Sequence, residues 1–270
     1  MIPAARKADR TVWRSGEITR GGRDIPEETA VALTYNASTY AVMMASPADL
    51  EDFAVGFSLS EGVIDRAADI KALEIVETEL GVDVQMWLDE TLARTLTERR
   101  RRLAGPTGCG LCGVESLAEA RRLRAPIVGD DFRISGADIL AAMSALTPAQ
   151  TLNAKTRATH GAGFWRPGEG LIAAREDVGR HNALDKLIGA LARAGQTGAG
   201  GLVLLTSRVS VEMVQKTAVL GAPVLVAVSA PTALAVRTAE EAAIALVAIA
   251  REDGFEVFTG AGRVGLDAPA

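Results

Sequence analysis

The stretch GLVLLTSRVSVEMVQKTAVLGAPVLVAVSAPTALAVRTAEEAAIALVAIA, residues 201–250, decides the fold. Three near-continuous apolar runs, 201–206, 223–229 and 244–250, read as strands buried on both faces. Between them, 210–220 and 232–243 read as helices. Gly221 suits the position just past a helix end, and Pro223 cannot continue a helix. Strand–helix–strand–helix–strand with short links requires parallel strands joined by helical crossovers. The same punctuation settles another matter. From Thr217 to Val236 the chain carries no charge, over about the length of a membrane span. Gly221, Pro223 and Pro231 break it into a helix end, a strand and a helix start, so no membrane is expected.

Working outward, 158–164 and 170–176 form a strand pair, followed by a helix over 182–194. A helix over 136–146 has Ser135 as its cap. A short strand closes the chain at 256–258. The C-terminal half, 131–270, is therefore expected to be a three-layer α/β domain. Residues 1–130 have a different texture. After a polar lead, 29–35 and 39–44 read as a hairpin. Ser46, Pro47 and Asp49 look like a helix start, and Leu50, Phe53, Ala54 and Phe57 fall on one helical face up to Gly62. Strands follow at 73–77 and 82–88, and a helix at 114–123. This is a smaller, mixed α+β region, with the boundary expected near 125–135.

Bulk properties exclude several classes. The chain has 270 residues, 48% of them hydrophobic, enough for a core without disulfides or metals. A net charge of −5 argues against a nucleic-acid binder. No apolar segment follows the first residues, Met1 to Lys7, so the expected location is the cytoplasm.

The only two cysteines lie three positions apart in Gly105-Pro106-Thr107-Gly108-Cys109-Gly110-Leu111-Cys112-Gly113. Four glycines and a proline in nine residues argue against core burial of these thiols. Upstream stand Arg99 to Arg102, and a helix is expected just downstream; both favour thiolate. A thiolate on such a loop is a nucleophile that can visit two partners. Competing readings are a small buried hydrophobe, a thioredoxin-like redox pair and a zinc site. The pair follows no strand directly, against the second. Zinc wants four ligands, and with only His160 and His181 besides, it would need two chains. The arginine run also reads as a solvated face.

A second constellation lies at a strand-to-helix turn, where α/β domains bind ligands. Arg175-Glu176-Asp177-Val178-Gly179-Arg180-His181-Asn182-Ala183-Leu184-Asp185-Lys186 holds seven ionisable side chains. Arg180, His181 and Lys186 can hold an anion, and Asn182 can read a base or cap the helix; a salt-bridge network is the competing reading. Thr206-Ser207-Arg208-Val209-Ser210 occupies a similar turn, with Ser207 and Arg208 suited to phosphate.

SPADLEDFAVGFSLSEGVI (46–64), GCGLCGVESL (108–117), REDVGRHNALDKLIGAL (175–191), SRVSVEMVQK (207–216) and APVLVAVSAPTALAV (222–236) together resemble the FdhD/NarQ family of formate dehydrogenase accessory sulfurtransferases. The resemblance implies a cytidine-deaminase-like C-terminal domain and a persulfide relay. A cysteine desulfurase would load sulfur onto Cys109, with Cys112 as companion. The sulfur would pass to the molybdenum bis(guanine dinucleotide) cofactor for formate dehydrogenase, whose nucleotide suggests that a GDP-like ligand binds. The implied cofactor-contact segment is Ile249, Ala250, Arg251, Glu252, Asp253 and Gly254. The deaminase zinc signature is absent, so neither deamination nor a resident metal is expected. Glu252 and Asp253 make the segment more acidic than a phosphate binder favours, and Thr159-His160-Gly161-Ala162-Gly163 matches the family's first strand only loosely. The resemblance implies a homodimer, supported by Ala233, Leu234, Val236, Ala242 and Ala243, which cover more than one helix face. The alternative is a non-catalytic chaperone of the molybdenum cofactor, its cysteines in an intersubunit zinc site.

Overall fold

The computed structural model describes residues 2–102, 123 and 132–266. Its first element is one the sequence reading passed over. The polar lead forms an antiparallel ribbon of β1 (Ala5–Arg14) and β2 (Glu17–Pro26), paired residue for residue from Ala5↔Pro26 to Arg14↔Glu17. Both strands are largely exposed, so the alternation that reveals a half-buried strand is missing.

The expected hairpin follows as β3 (Thr29–Tyr35) and β4 (Ser38–Ala45). Helix α1 (Leu50–Ser60) comes next, then β5 (Ala72–Thr78), β6 (Gly81–Trp87) and α2 (Glu90–Arg102), which takes in the arginine run. The four strands from β3 to β6 make one sheet in the order β4-β3-β6-β5. One face of it, carrying Val31, Leu33, Val84 and Met86, packs on Leu50, Phe53, Ala54 and Phe57 of α1. The helical face read from the sequence is thus correct, but the start is not. The helix begins at Leu50 behind Asp49, and Ser46 does not cap it. Ser46 is bound elsewhere, as described below.

After β7 (Ile134–Ser135) comes α3 (Gly136–Ala149), where Ser135 accepts from the Asp138 amide as the sequence reading anticipated. A short helix, α4 (Thr151–Thr156), precedes β8 (His160–Arg166) and β9 (Gly170–Asp177). Then follow α5 (Arg180–Arg193), β10 (Leu202–Leu205), α6 (Val211–Leu220), β11 (Val224–Ala227), α7 (Ala233–Glu241), β12 (Ala245–Arg251), β13 (Gly254–Val257) and β14 (Val264–Gly265). The main sheet runs β13-β12-β11-β10-β8-β9. As expected, β10, β11 and β12 are parallel; β8 and β13 are antiparallel to their neighbours.

Alternation along β10 shows the layering. Val203 and Leu205 join a core with α5, α6 and α7, whereas Leu202 and Leu204 join one with Ile139, Ala142 and Leu146 of α3. Helices therefore cover both faces, which is why the strands read as unbroken apolar runs. Ala235 and Ala239 of α7 and Ala242 just past its end face the first of these cores, and Ala233 is exposed.

The two parts meet where α1 crosses α5. A Cβ on Gly56 would lie 1.7 Å from the Asp185 carbonyl oxygen, and one on Gly189 would lie 1.9 Å from that of Asp52. Only glycine at both positions lets the helix backbones touch. The expected domain boundary near 125–135 and the expected helix at 114–123 fall almost wholly outside the described residues. Among the described residues, no helix is long and apolar enough to cross a membrane.

Candidate functional site

Cys109 and Cys112 lie outside the described residues. Leu123 packs against the core formed by α5, α6 and α7.

The remaining candidate residues lie along one edge of the main sheet, at the carboxyl ends of β9, β10, β11 and β12. Hydrogen bonds tie the turns at this edge together. The Gly161 amide donates to Thr206 Oγ1 at 2.8 Å, and the Thr206 amide donates to the Gly161 carbonyl at 3.1 Å, joining the start of β8 to the end of β10. The Val209 amide donates to the Ala230 carbonyl, and that of Thr232 to the Val209 carbonyl, joining the turns after β10 and β11.

The twelve-residue motif 175–186 divides between two surfaces. Asp177 and Lys186 are completely buried and paired at 2.7 Å. Asp177 also accepts from the amides of Ser46 and Gly179 and from Asn182 Nδ2. Lys186 donates to the Ser46 carbonyl at 2.9 Å, and the Val178 amide donates to Ser46 Oγ at 3.1 Å. Asn182 donates to the Met44 carbonyl at 2.8 Å. It follows the N-cap Gly179 by three positions and does not cap the helix. A second buried pair, Asp185 with Lys216 at 2.6 Å, takes a hydrogen bond from Ser60 Oγ. Asp52 of α1 accepts from Arg175 and Arg193. Lys186 and Asn182 therefore bind the N-terminal region to the main sheet.

Arg180 and His181, at the start of α5, belong to the strand-end edge, as does His160 at the start of β8. His160 stands opposite Asp177 in the β8–β9 register. Burial first, then the nearby Arg180 charge, holds its imidazole below the usual histidine value. His181 Nε2 lies 3.9 Å from Glu212 Oε2. This facing imidazole outweighs partial burial and keeps the Glu212 carboxyl at about 2. Beside them Ser207 is buried, donating to the Arg208 carbonyl at 3.0 Å, and Arg208 is exposed. His160 and Glu212 escaped the sequence reading as members of this cluster. They sit 20 residues before Arg180 and 31 after His181, separations at which no local pattern operates.

The segment Ile249–Gly254 lies along the same edge but apart from these groups. From β8 to β12 there are three strand spacings, roughly 14 Å. Ile249 has φ 53°, in the left-handed region, where the pairing of β12 with β13 shifts register. A β-branched residue there is a strained exception of the kind that clusters at ligand sites. Ala250 is buried, and Arg251, Glu252 and Asp253 are exposed at the turn into β13. Among the described residues no cluster of three metal-ligating side chains occurs.

The model of the FdhD/NarQ family matches residues 26–265. The chain is similar to the sulfur carrier protein FdhD of Agrobacterium fabrum, at 57% identity over 259 residues and 96% of each chain. Its identity to the protein of that name from Brucella abortus is 54% over 251 residues, 93% of each chain. Its fold is similar to a crystal structure described as a formate dehydrogenase accessory protein from Desulfotalea psychrophila. The TM-score is 0.75 at 25% identity, covering 97% of this chain and all of that one.

Proposed function

Since this chain belongs to the FdhD/NarQ family, we propose that it is a sulfur carrier whose Cys109 accepts sulfur from a cysteine desulfurase. It delivers that sulfur to the molybdenum bis(guanine dinucleotide) cofactor of formate dehydrogenase. The observation that carries this reading is the end-to-end likeness, at 57% identity, to a protein named as a sulfur carrier. Loading is thiol–persulfide exchange, a sulfurtransferase step. The Cys109 thiolate attacks the outer sulfur of the donor persulfide, a new S–S bond forms, and the donor thiolate leaves. No external oxidant is needed. Cys112 either resolves the persulfide or tunes the Cys109 thiolate.

The cofactor is cargo, and the strand-end edge is its proposed seat, with Arg180, His181, Ser207 and Arg208 toward one end and Ile249–Gly254 toward the other. Carboxyl ends of strands in open α/β sheets are where nucleotides bind. A separation of roughly 14 Å suits a ligand with two nucleotide arms better than a single phosphate group. The protein acts in the cytoplasm, as a homodimer whose subunits each divide near residue 130.

The deciding experiment is intact mass after incubation with a desulfurase and cysteine. The wild type gains one sulfur, reversed by a reductant, and Cys109→Ala gains none. Stoichiometric zinc with no sulfur gain would establish the chaperone reading instead. Calorimetry with GDP tests the nucleotide seat, and light scattering tests the dimer.

A further inference from the structure

We propose that two copies of this chain join by laying the β1–β2 ribbon of each along the β5 edge of the other. This rests on the homodimer reading above and names the surfaces that meet.

The ribbon is built like half of an interface. Two strands alone are marginally stable in water and need a further element to cover them. Its own chain gives the ribbon little cover. Both strands are largely exposed, and among the described residues they pair only with each other. Toward the base, Arg23 donates to the Thr156 carbonyl of α4 at 3.0 Å. At the far end Ser15 and Gly16, both at positive φ, close the ribbon as a two-residue turn. Just behind that turn Trp13 and Ile18 stand opposite each other on one face, both exposed. Ten residues per strand give roughly 33 Å, enough to reach a neighbouring molecule. Gly21 lies in mid-strand, where a Cβ would meet nothing within 4 Å. The register is unbroken, so no bulge needs this glycine. The remaining use of a mid-strand glycine is close approach of another backbone.

Charge chooses the partner. Residues 5–26 carry six basic side chains against three acidic ones, a net +3 in a chain of net −5. Residues 72–80, which are β5 and its turn, hold Glu74, Glu77 and Glu79 and no base, a net −3. Strand β5 is an edge of its sheet, and among the described residues its backbone pairs only with β6. Ile75 is exposed on it, and Leu80 at its turn is 92% exposed. A basic ribbon with an apolar pair near its tip thus matches an acidic edge with two exposed apolar side chains. Ribbon against ribbon, or β5 against β5, would oppose like charges, whereas ribbon against β5 attracts. Within one chain the two belong to separate sheets with no strand pairing between them, which leaves the match to a second copy. Each contact adds the ribbon to the neighbour's sheet. Two such contacts related by a twofold axis close a dimer.

The test is sedimentation equilibrium on the full chain at micromolar concentration, with thermal midpoints to confirm that each variant is folded. The wild type is expected to be a dimer that weakens as salt rises. Arg10→Glu with Arg14→Glu, and separately Glu74→Lys with Glu79→Lys, should each raise the dissociation constant about tenfold or more. A chain carrying all four changes regains the attraction and should return to within about threefold of wild type. Trp13→Ser should weaken the dimer about tenfold, at high salt as well as low. A dimer unchanged by every one of these variants would overturn the ribbon contact and leave the homodimer standing. Weakening by the ribbon reversal but not by the β5 reversal would overturn β5 as the partner surface, as would a four-change chain no tighter than either pair of changes alone. A wild type that stays monomeric even at submillimolar concentration would overturn both the contact and the homodimer.

Discussion

The seam between α1 and α5 and the strand-end edge beside it share one segment, residues 175–186, and treat its charges in opposite ways. On the seam every charge is matched. Asp177 and Lys186 are fully enclosed and bonded to each other and to the backbone around Ser46, and Asp185 is paired with Lys216. On the edge, the enclosed Arg180 Nε has no hydrogen-bond partner among the described residues, and His160 stands opposite Asp177 at the start of β8. Position along the helix sorts them: Asn182, Asp185, Lys186 and Gly189 are buried at the seam, while Arg180 and His181 open the helix at the sheet edge. The difference separates charge that is buried and structural from charge that faces the sheet edge. Matched buried charges hold two regions in register, whereas the edge charges are the ones the proposed ligand would meet.

The largest effect should come from the seam. Lys186→Ala leaves Asp177 buried without its cation, and loss of one partner of a buried pair costs about 3–5 kcal/mol. Urea unfolding should show it, and a loss below about 1 kcal/mol would mean the pair does not hold the seam. Gly56→Ala comes next. Its added carbon would collide with the Asp185 carbonyl, so α1 and α5 must separate. Overpacking of this kind costs about 1–3 kcal/mol, and more where backbone cannot yield. A thermal midpoint equal to wild type would show that the crossing tolerates expansion.

The edge should respond the other way. Arg180→Gln is expected to change stability by no more than about 0.5 kcal/mol, because it breaks no hydrogen bond of the enclosed Nε. A loss as large as that of Lys186→Ala would erase the contrast between the two surfaces. The smallest effect is a pH dependence. The folded state holds His160 below its ordinary 6.5, so the unfolded chain binds the extra proton first. Its contribution should therefore be intact above that value and decline as pH falls from about 6.5 through the lower folded value. Glu212, held at about 2, loses its contribution only at more acidic pH, below its ordinary 4.5. Comparing His160→Gln with wild type between pH 7 and 5 should isolate the histidine, and parallel curves would show that it makes no contribution.

Much of the fold was legible from the residues. Runs such as 201–206 and 223–229 announced strands buried on both faces, and Ser135 announced the start of α3. The failures have identifiable causes. The ribbon of β1 and β2 has no buried side to impose alternation, and Trp13 and Ile18 are 71% and 69% exposed on it. Ser46 carries the chemistry of a helix cap, but the buried Asp177 and Lys186, far off in the chain, claim its polar groups.

By itself, then, the sequence determined the parallel α/β core, the strand-to-helix turns that bear polar residues and the glycine-flanked cysteine pair. Each of these is written in neighbouring residues, through apolar periodicity or turn chemistry. Only the tertiary structure decided that Lys186 and Asn182 face the N-terminal region while Arg180 and His181 join His160 and Glu212. That choice depends on which element packs against each side of α5. Partners 20 to 140 residues away set it through close packing and the high energetic penalty of burying an unpaired charge.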